Sequence, residues 1–215
     1  MNDSVIEAIK KLRLSRDKLY EAGKLLTQAM GTDLYTLDFF LIAALNRSFC
    51  LLRGFCDLLE SSNFISAAPL VRLQLDNCLR IFAISLVADP NKFASDVLGG
   101  KSVRNIKDAT NCPMRDNYLC NELSKQFPWV QNVYDETSGF VHLSEKHIFN
   151  SLKIDSTDEH LVSLKISDQD KFVPDSAYME AIEVFEKITE LFLSLFYTEI
   201  QARANFNKIS GKQAG

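Results

Sequence analysis

The chain has 215 residues, with 24 Lys and Arg against 28 Asp and Glu and a formal net charge of −4. That length suits one large domain, or one domain with an insertion. The charge balance gives no broad electrostatic footprint for nucleic acid or an anionic membrane. The 5 cysteines are an odd set without a CxxC pair, which argues against a disulfide framework and for a reducing, cytoplasmic setting. No basic-then-apolar leader follows Met1.

Asp3 or Ser4 can cap a first helix running to about Met30. Its apolar positions, among them Val5, Ile9, Leu12, Leu19 and Leu26, recur at helical spacing. Lys10, Lys11, Arg13, Arg16 and Lys18 lie opposite, and interleaved acidic residues make this a solvated face. Gly31 is a natural stop. Thr32 and Asp33 offer caps for a second helix, Leu34 to Glu60. Its most apolar run is interrupted by Asn46, Arg47, Arg53 and Asp57, too much polarity for a lipid-exposed span, so no membrane partner is expected. Arg53 and Asp57 form an i,i+4 pair.

Ser61 to Asn63 breaks that run, and a third helix begins at Ser66 or Ala67 with Pro69 in its first turn. The short loop makes the two helices an antiparallel hairpin. The centre of the third helix, Leu70 to Val87, is apolar around most of its circumference and would be roughly 27 Å long. Such a helix is central. Arg72, Asp76 and Arg80 share one stripe about 80° wide on it, and charges there must face water or find partners.

Asp89 and Pro90 stop the third helix. The pattern then predicts a short helix from Pro90 to Val97, a basic helix within Lys101 to Asn111, another from Cys112 to about Gln126, and one from Val130 to Val141. Phe149 to Ile154 and His160 to Ile166 alternate apolar and polar, which predicts a small β-hairpin over about 148–167. The last helix runs from Ser176 to about Asn205, and the tail, about 207–215, frays. Phe185, Phe192 and Phe196 on that helix exceed what one bundle would bury, which predicts a homodimer face. The expected architecture is therefore mainly all-α: one up-down helical-bundle domain over 1–215, with a hairpin insertion before the C-terminal helix.

Tyr134, Ser138 and His142 form one stripe on their helix. Asp76 accepting from His142, with Arg72 nearby, would make a compact polar cluster in which the carboxylate raises the pKa of the imidazole. Such a cluster is either a structural tie between helices or a site. His142 and His147 are off the i,i+4 spacing that presents two metal ligands, so no metal is expected. No GxSxG elbow flanks Ser138 or Ser144. Gly99 to Ser102 lacks the first glycine and the strand of a phosphate loop, so no cofactor is expected.

The order Arg72-x-x-x-Asp76, an Asp89-Pro90 stop, then Tyr134-x-x-x-Ser138-x-x-x-His142 resembles a family of bacterial all-α proteins with an Arg-x-x-x-Glu helix followed by a Tyr/Ser/His helix. Their layout is similar to that of HEPN domains, helical bundles of prokaryotic toxin–antitoxin and antiphage systems. Asp76 stands where that family carries Glu, and no Arg precedes a His by four to six residues as in ribonuclease HEPN domains. The resemblance implies a HEPN-like bundle, commonly dimeric, in a bacterial defence setting. Two functions follow. One is a module that binds a small ligand, a protein partner, RNA or a nucleotide. The other is an RNA-cleaving or nucleotide-handling enzyme with Arg72, Asp76 and His142 in a cleft. Arg53, Asp57, Arg80, Tyr134, Ser138 and His147 are the candidate binding residues.

Overall fold

The computed structural model of the chain describes residues 1–141, 147–148, 152–154, 162–164 and 166–209. Helix α1 spans Asp3–Arg13 and α2 spans Ser15–Met30, so the expected first helix is broken at Leu14. Neither Pro nor Gly causes the break. The Leu14 N–H bonds the Lys11 carbonyl and the Asp17 N–H bonds that of Leu14, an overwound turn of i→i+3 bonds. Val5, Leu12, Leu19 and Leu26 are all buried at strict seven-residue spacing. A straight α-helix drifts by about 20° per heptad, and the overwound turn brings that seam back to the core. Gly31 ends α2 with φ 63°.

Helix α3 is Thr36–Glu60, starting after the expected Leu34 because Asp38 Oδ2 accepts from the Tyr35 N–H at 2.9 Å. Helix α4 is Phe64–Leu86. The Asn63 side chain accepts from the Ser66 N–H at 3.2 Å, so α4 begins earlier than predicted and Pro69 falls in its second turn. The two form the expected antiparallel hairpin about Ser62. By length and composition α3 is apolar enough to cross a membrane; here its Leu41, Leu52, Phe55 and Leu59 are buried in the core.

Helix α5, Pro90–Leu98, is capped by Asp89, whose carboxylate accepts from the Lys92 N–H at 3.0 Å. The basic helix expected within Lys101 to Asn111 is absent. One 3-10 turn, Val103–Asn105, leads into a loop bridged at Lys107 and Pro113. Asp108 organises that loop by accepting from the Thr110 N–H at 2.9 Å, the Cys112 N–H at 2.8 Å and the Tyr118 hydroxyl. These local bonds compete with a helical ladder. Helix α6 is Asp116–Ser124 and α7 is Trp129–Val141. Strands β1, Leu152–Ile154, and β2, Val162–Leu164, pair antiparallel with Lys153 opposite Ser163. Residues 155–161, the turn of the expected hairpin, lie outside the described residues.

Helix α8 is Asp175–Ile209 and packs on α1, α2, α3 and α4 in a mostly up-down helical bundle. Phe185, Phe192 and Phe196 are fully buried within one chain. That corrects the expected dimer face, since α8 is wrapped by its own bundle on the side that carries them. Phe185 stacks on Phe55 with centroids 4.3 Å apart. Asn207, expected in a frayed tail, is helical and buried and donates to the Ala29 carbonyl at 2.8 Å. Residues 210–215 of that tail lie outside the described residues. Beside Asn207, Arg203 Nε donates to Asp38 Oδ1 at 2.9 Å, and its Nη2 donates to the Met30 and Asp33 carbonyls at 2.8 and 2.7 Å. This clasp ties α8 to the turn between α2 and α3.

Candidate functional site

Helix α4 is the axis of the site. Val71, Leu75, Cys78 and Leu79 bury its other faces, which leaves the Arg72, Asp76 and Arg80 stripe in the angle between α3, α6 and α7. Gln74 and Asn77, also buried, are tied elsewhere. Gln74 donates to Ser48 at 2.6 Å, and Asn77 donates to the Ala44 carbonyl at 2.9 Å.

The sequence expects Asp76 to accept from His142 with Arg72 nearby; among the described residues the structure gives Arg72 and Asp76 different neighbours. The Arg72 guanidinium lies over the Tyr134 ring of α7, with Cζ 3.7 Å from the ring centroid. Asp76 is taken by two other arginines. Its Oδ2 accepts from Arg47 Nη1 at 3.0 Å across the hairpin, and its Oδ1 accepts from Arg80 Nη2 at 2.6 Å. Arg80 Nη2 also donates to Asp116 Oδ1 at 2.6 Å, in the first turn of α6. The helix N-terminus supports that carboxylate. The ladder Arg47–Asp76–Arg80–Asp116 is closed in charge, and adding Arg72 leaves one net positive charge.

Two buried donors in this cluster have no hydrogen-bond partner among the described residues: Arg72 Nη1 and Arg80 Nη1. A buried N–H of a guanidinium without an acceptor is costly. The site is nonetheless open to water at its rim, where Arg47 and Asp116 are 39% and 43% exposed. Burial pushes the Tyr134 hydroxyl above its usual range, partly offset by the Arg72 charge, so the phenol stays protonated at neutral pH. On the same side, the Cys120 thiol of α6 donates to Gln131 at 3.4 Å, and burial holds it above its usual range.

The remaining expected residues divide. His142 lies outside the described residues. Ser138 is exposed and bonds back to the Tyr134 carbonyl at 2.8 Å, so its hydroxyl is spent on its own helix. His147 is half-buried. Arg53 and Asp57 keep their i,i+4 contact at 3.5 Å, but Asp57 bonds Arg13 of α1 at 2.7 Å in an exposed network with Glu60. That places them at the α1–α3 junction and not in the Arg72 cluster. Sequence reasoning missed Arg47 and Asp116 as partners. The signal for Arg47 was available: in a hairpin that turns at Ser62, Arg47 and Asp76 stand almost equally far from the turn. Asp116 had none, because the loop before α6 has no periodicity.

The arrangement can hold an anion and can orient it, since a guanidinium fork matches carboxylate and phosphate oxygens. It offers no unengaged base among the described residues: both Asp76 oxygens carry an arginine, and Tyr134 is protonated. Among the described residues, no group of three or more His, Cys, Asp and Glu side chains is placed to hold a metal. In comparisons with known proteins, no family model, no curated relative and no solved structure matches this chain.

Proposed function

We propose that the chain is a ligand- or partner-binding module of HEPN-like layout whose Arg72–Tyr134 site takes an anionic group, a carboxylate or a phosphate. One observation carries this reading: Arg72 Nη1 is buried with no acceptor among the described residues, while the guanidinium is held over the Tyr134 ring. A cation fixed in orientation before its acceptor arrives has already met part of the ordering cost of binding. The HEPN-like order of the Arg/Asp helix, the Asp-Pro stop and the Tyr/Ser/His helix supports the same reading. With it come the bacterial defence setting, a cytoplasmic location and a homodimer whose surface is not the buried face of α8.

Calorimetric titration with inorganic phosphate, acetate and adenosine monophosphate tests it. At least one anion binds wild-type protein one-to-one, and Arg72→Gln lowers the affinity about tenfold or more. No heat from any of the three, or equal binding by the variant, overturns the reading.

The second reading, an RNA-cleaving or nucleotide-handling enzyme, is favoured by the same arginine, which could meet phosphoryl charge with His142 as base. Cleavage of a pool of RNAs that disappears in His142→Ala decides for it; an intact pool decides against it.

A further inference from the structure

On another face of the same two helices lies a second concavity. Helices α4, α7 and α8 enclose a cavity of about 470 Å³, with Phe64, Val71, Val133 and Val184 among its walls and Glu136 and Glu180 on the facing helices α7 and α8. Its size and lining are those of a small-molecule pocket, apolar with a few polar groups. Arg72 and Tyr134 each follow a wall residue by one position but are turned toward each other and do not line it.

The chemistry of the lining selects the ligand. Among the described residues it includes two carboxylates and no Lys, Arg or His. Phe64 and Phe140, both in the wall, meet edge to face with centroids 5.9 Å apart and planes at 80°, and together they make the wall aromatic. An aromatic, apolar wall with a carboxylate in it suits weakly hydrated organic cations. An anionic ligand would meet only repulsion from Glu180, for which no ion pair or hydrogen bond is seen among the described residues. We propose that this pocket binds an apolar organic cation, an alkyl- or arylammonium, with its tail among Val71, Val133 and Val184 and its charged head toward Glu180. This goes beyond the anion site and stands independently of it.

Calorimetric titration of the full chain with octyltrimethylammonium, octanol and octanoate, all at sub-micellar concentration, tests the proposal. Octyltrimethylammonium binds one-to-one, about tenfold tighter than octanol, and octanoate binds weakest. Glu180→Gln reduces the preference for the cation over octanol. Ala181→Trp fills the cavity and abolishes binding, with circular dichroism reporting whether it folds. Uptake of none of the three by wild-type protein overturns the proposal. So does equal affinity for cation and carboxylate, or a cation preference undiminished in Glu180→Gln, a surface change that does not depend on repacking.

Discussion

The Arg72 guanidinium lies over the Tyr134 ring, its carbon 3.7 Å from the ring centroid. The two residues sit on α4 and α7, while Asp76 of the same α4 stripe is held by Arg47 and Arg80. Arg72 Nη1 has no hydrogen-bond partner among the described residues. Arg72→Ala therefore removes both a stacking contact and a buried orphan donor. These oppose each other, so urea unfolding should show a change within about 1 kcal/mol, while anion binding is lost. A loss of stability above that range marks the residue as structural.

The Arg203–Asp38 pair behaves differently. Both side chains are buried, 4% and 0% exposed, and each guanidinium nitrogen of Arg203 has an acceptor in α2, α3, α8 or the turn between α2 and α3. Asp38→Asn leaves the guanidinium without its counter-charge and should cost about 3–5 kcal/mol in chemical denaturation. The double variant Asp38→Leu with Arg203→Met should cost less than the sum of the single changes.

Glu199 of α8 sets a pH dependence. Burial pushes its carboxyl up to about 7, against about 4.3 in an unfolded chain. The folded state then holds the proton more tightly, so this group's contribution favours folding below about pH 4.3 and is lost as pH rises through 7. Glu199→Gln should flatten that part of the stability profile and raise stability at pH 8 by about 1–2 kcal/mol, a figure discounted for partial exposure. Denaturation midpoints across about pH 4 to 8 (chosen to bracket the shift) check it, and an unchanged slope in the variant refutes it.

Thiol chemistry should sort the cysteines. Cys50 and Cys112 are exposed, while Cys56, Cys78 and Cys120 are buried. Burial pushes Cys56 up to about 11, Cys78 further, and Cys120 upward as well. Iodoacetamide on the native protein, mapped by mass spectrometry, should label Cys50 and Cys112 first and the other three only on unfolding.

Elements written by local periodicity were legible in the sequence. The α3–α4 hairpin, the stop at Asp89 and Pro90 and the long apolar stripe of α8 all follow from spacing and turn residues. The site was half legible. Helical phase put Arg72, Asp76 and Arg80 on one stripe and Tyr134 on a neighbouring helix, but phase does not choose among partners. Asp76 went to Arg47 and Arg80 because two guanidinium forks reach it directly, whereas Arg72 gained a ring face. Asp38 with Arg203 was illegible, being 165 residues apart in sequence with no local pattern to couple them. The loop at Asp108 was misread for a related reason: its order comes from side-chain bonds to the backbone, which leave no period.

The clasp at Arg203 also bears on how the chain is made. Helix α8 packs against α1, α2, α3 and α4, so the seats for Phe185, Phe192 and Phe196 stand empty until the ribosome has delivered most of that helix. The turn between α2 and α3 likewise waits for a guanidinium translated long after it. During synthesis the first helices hold unpaired apolar faces, with Leu19, Ala22 and Leu26 among the residues later covered. Folding of the bundle is therefore completed after translation of α8, and until then those apolar faces are open to aggregation.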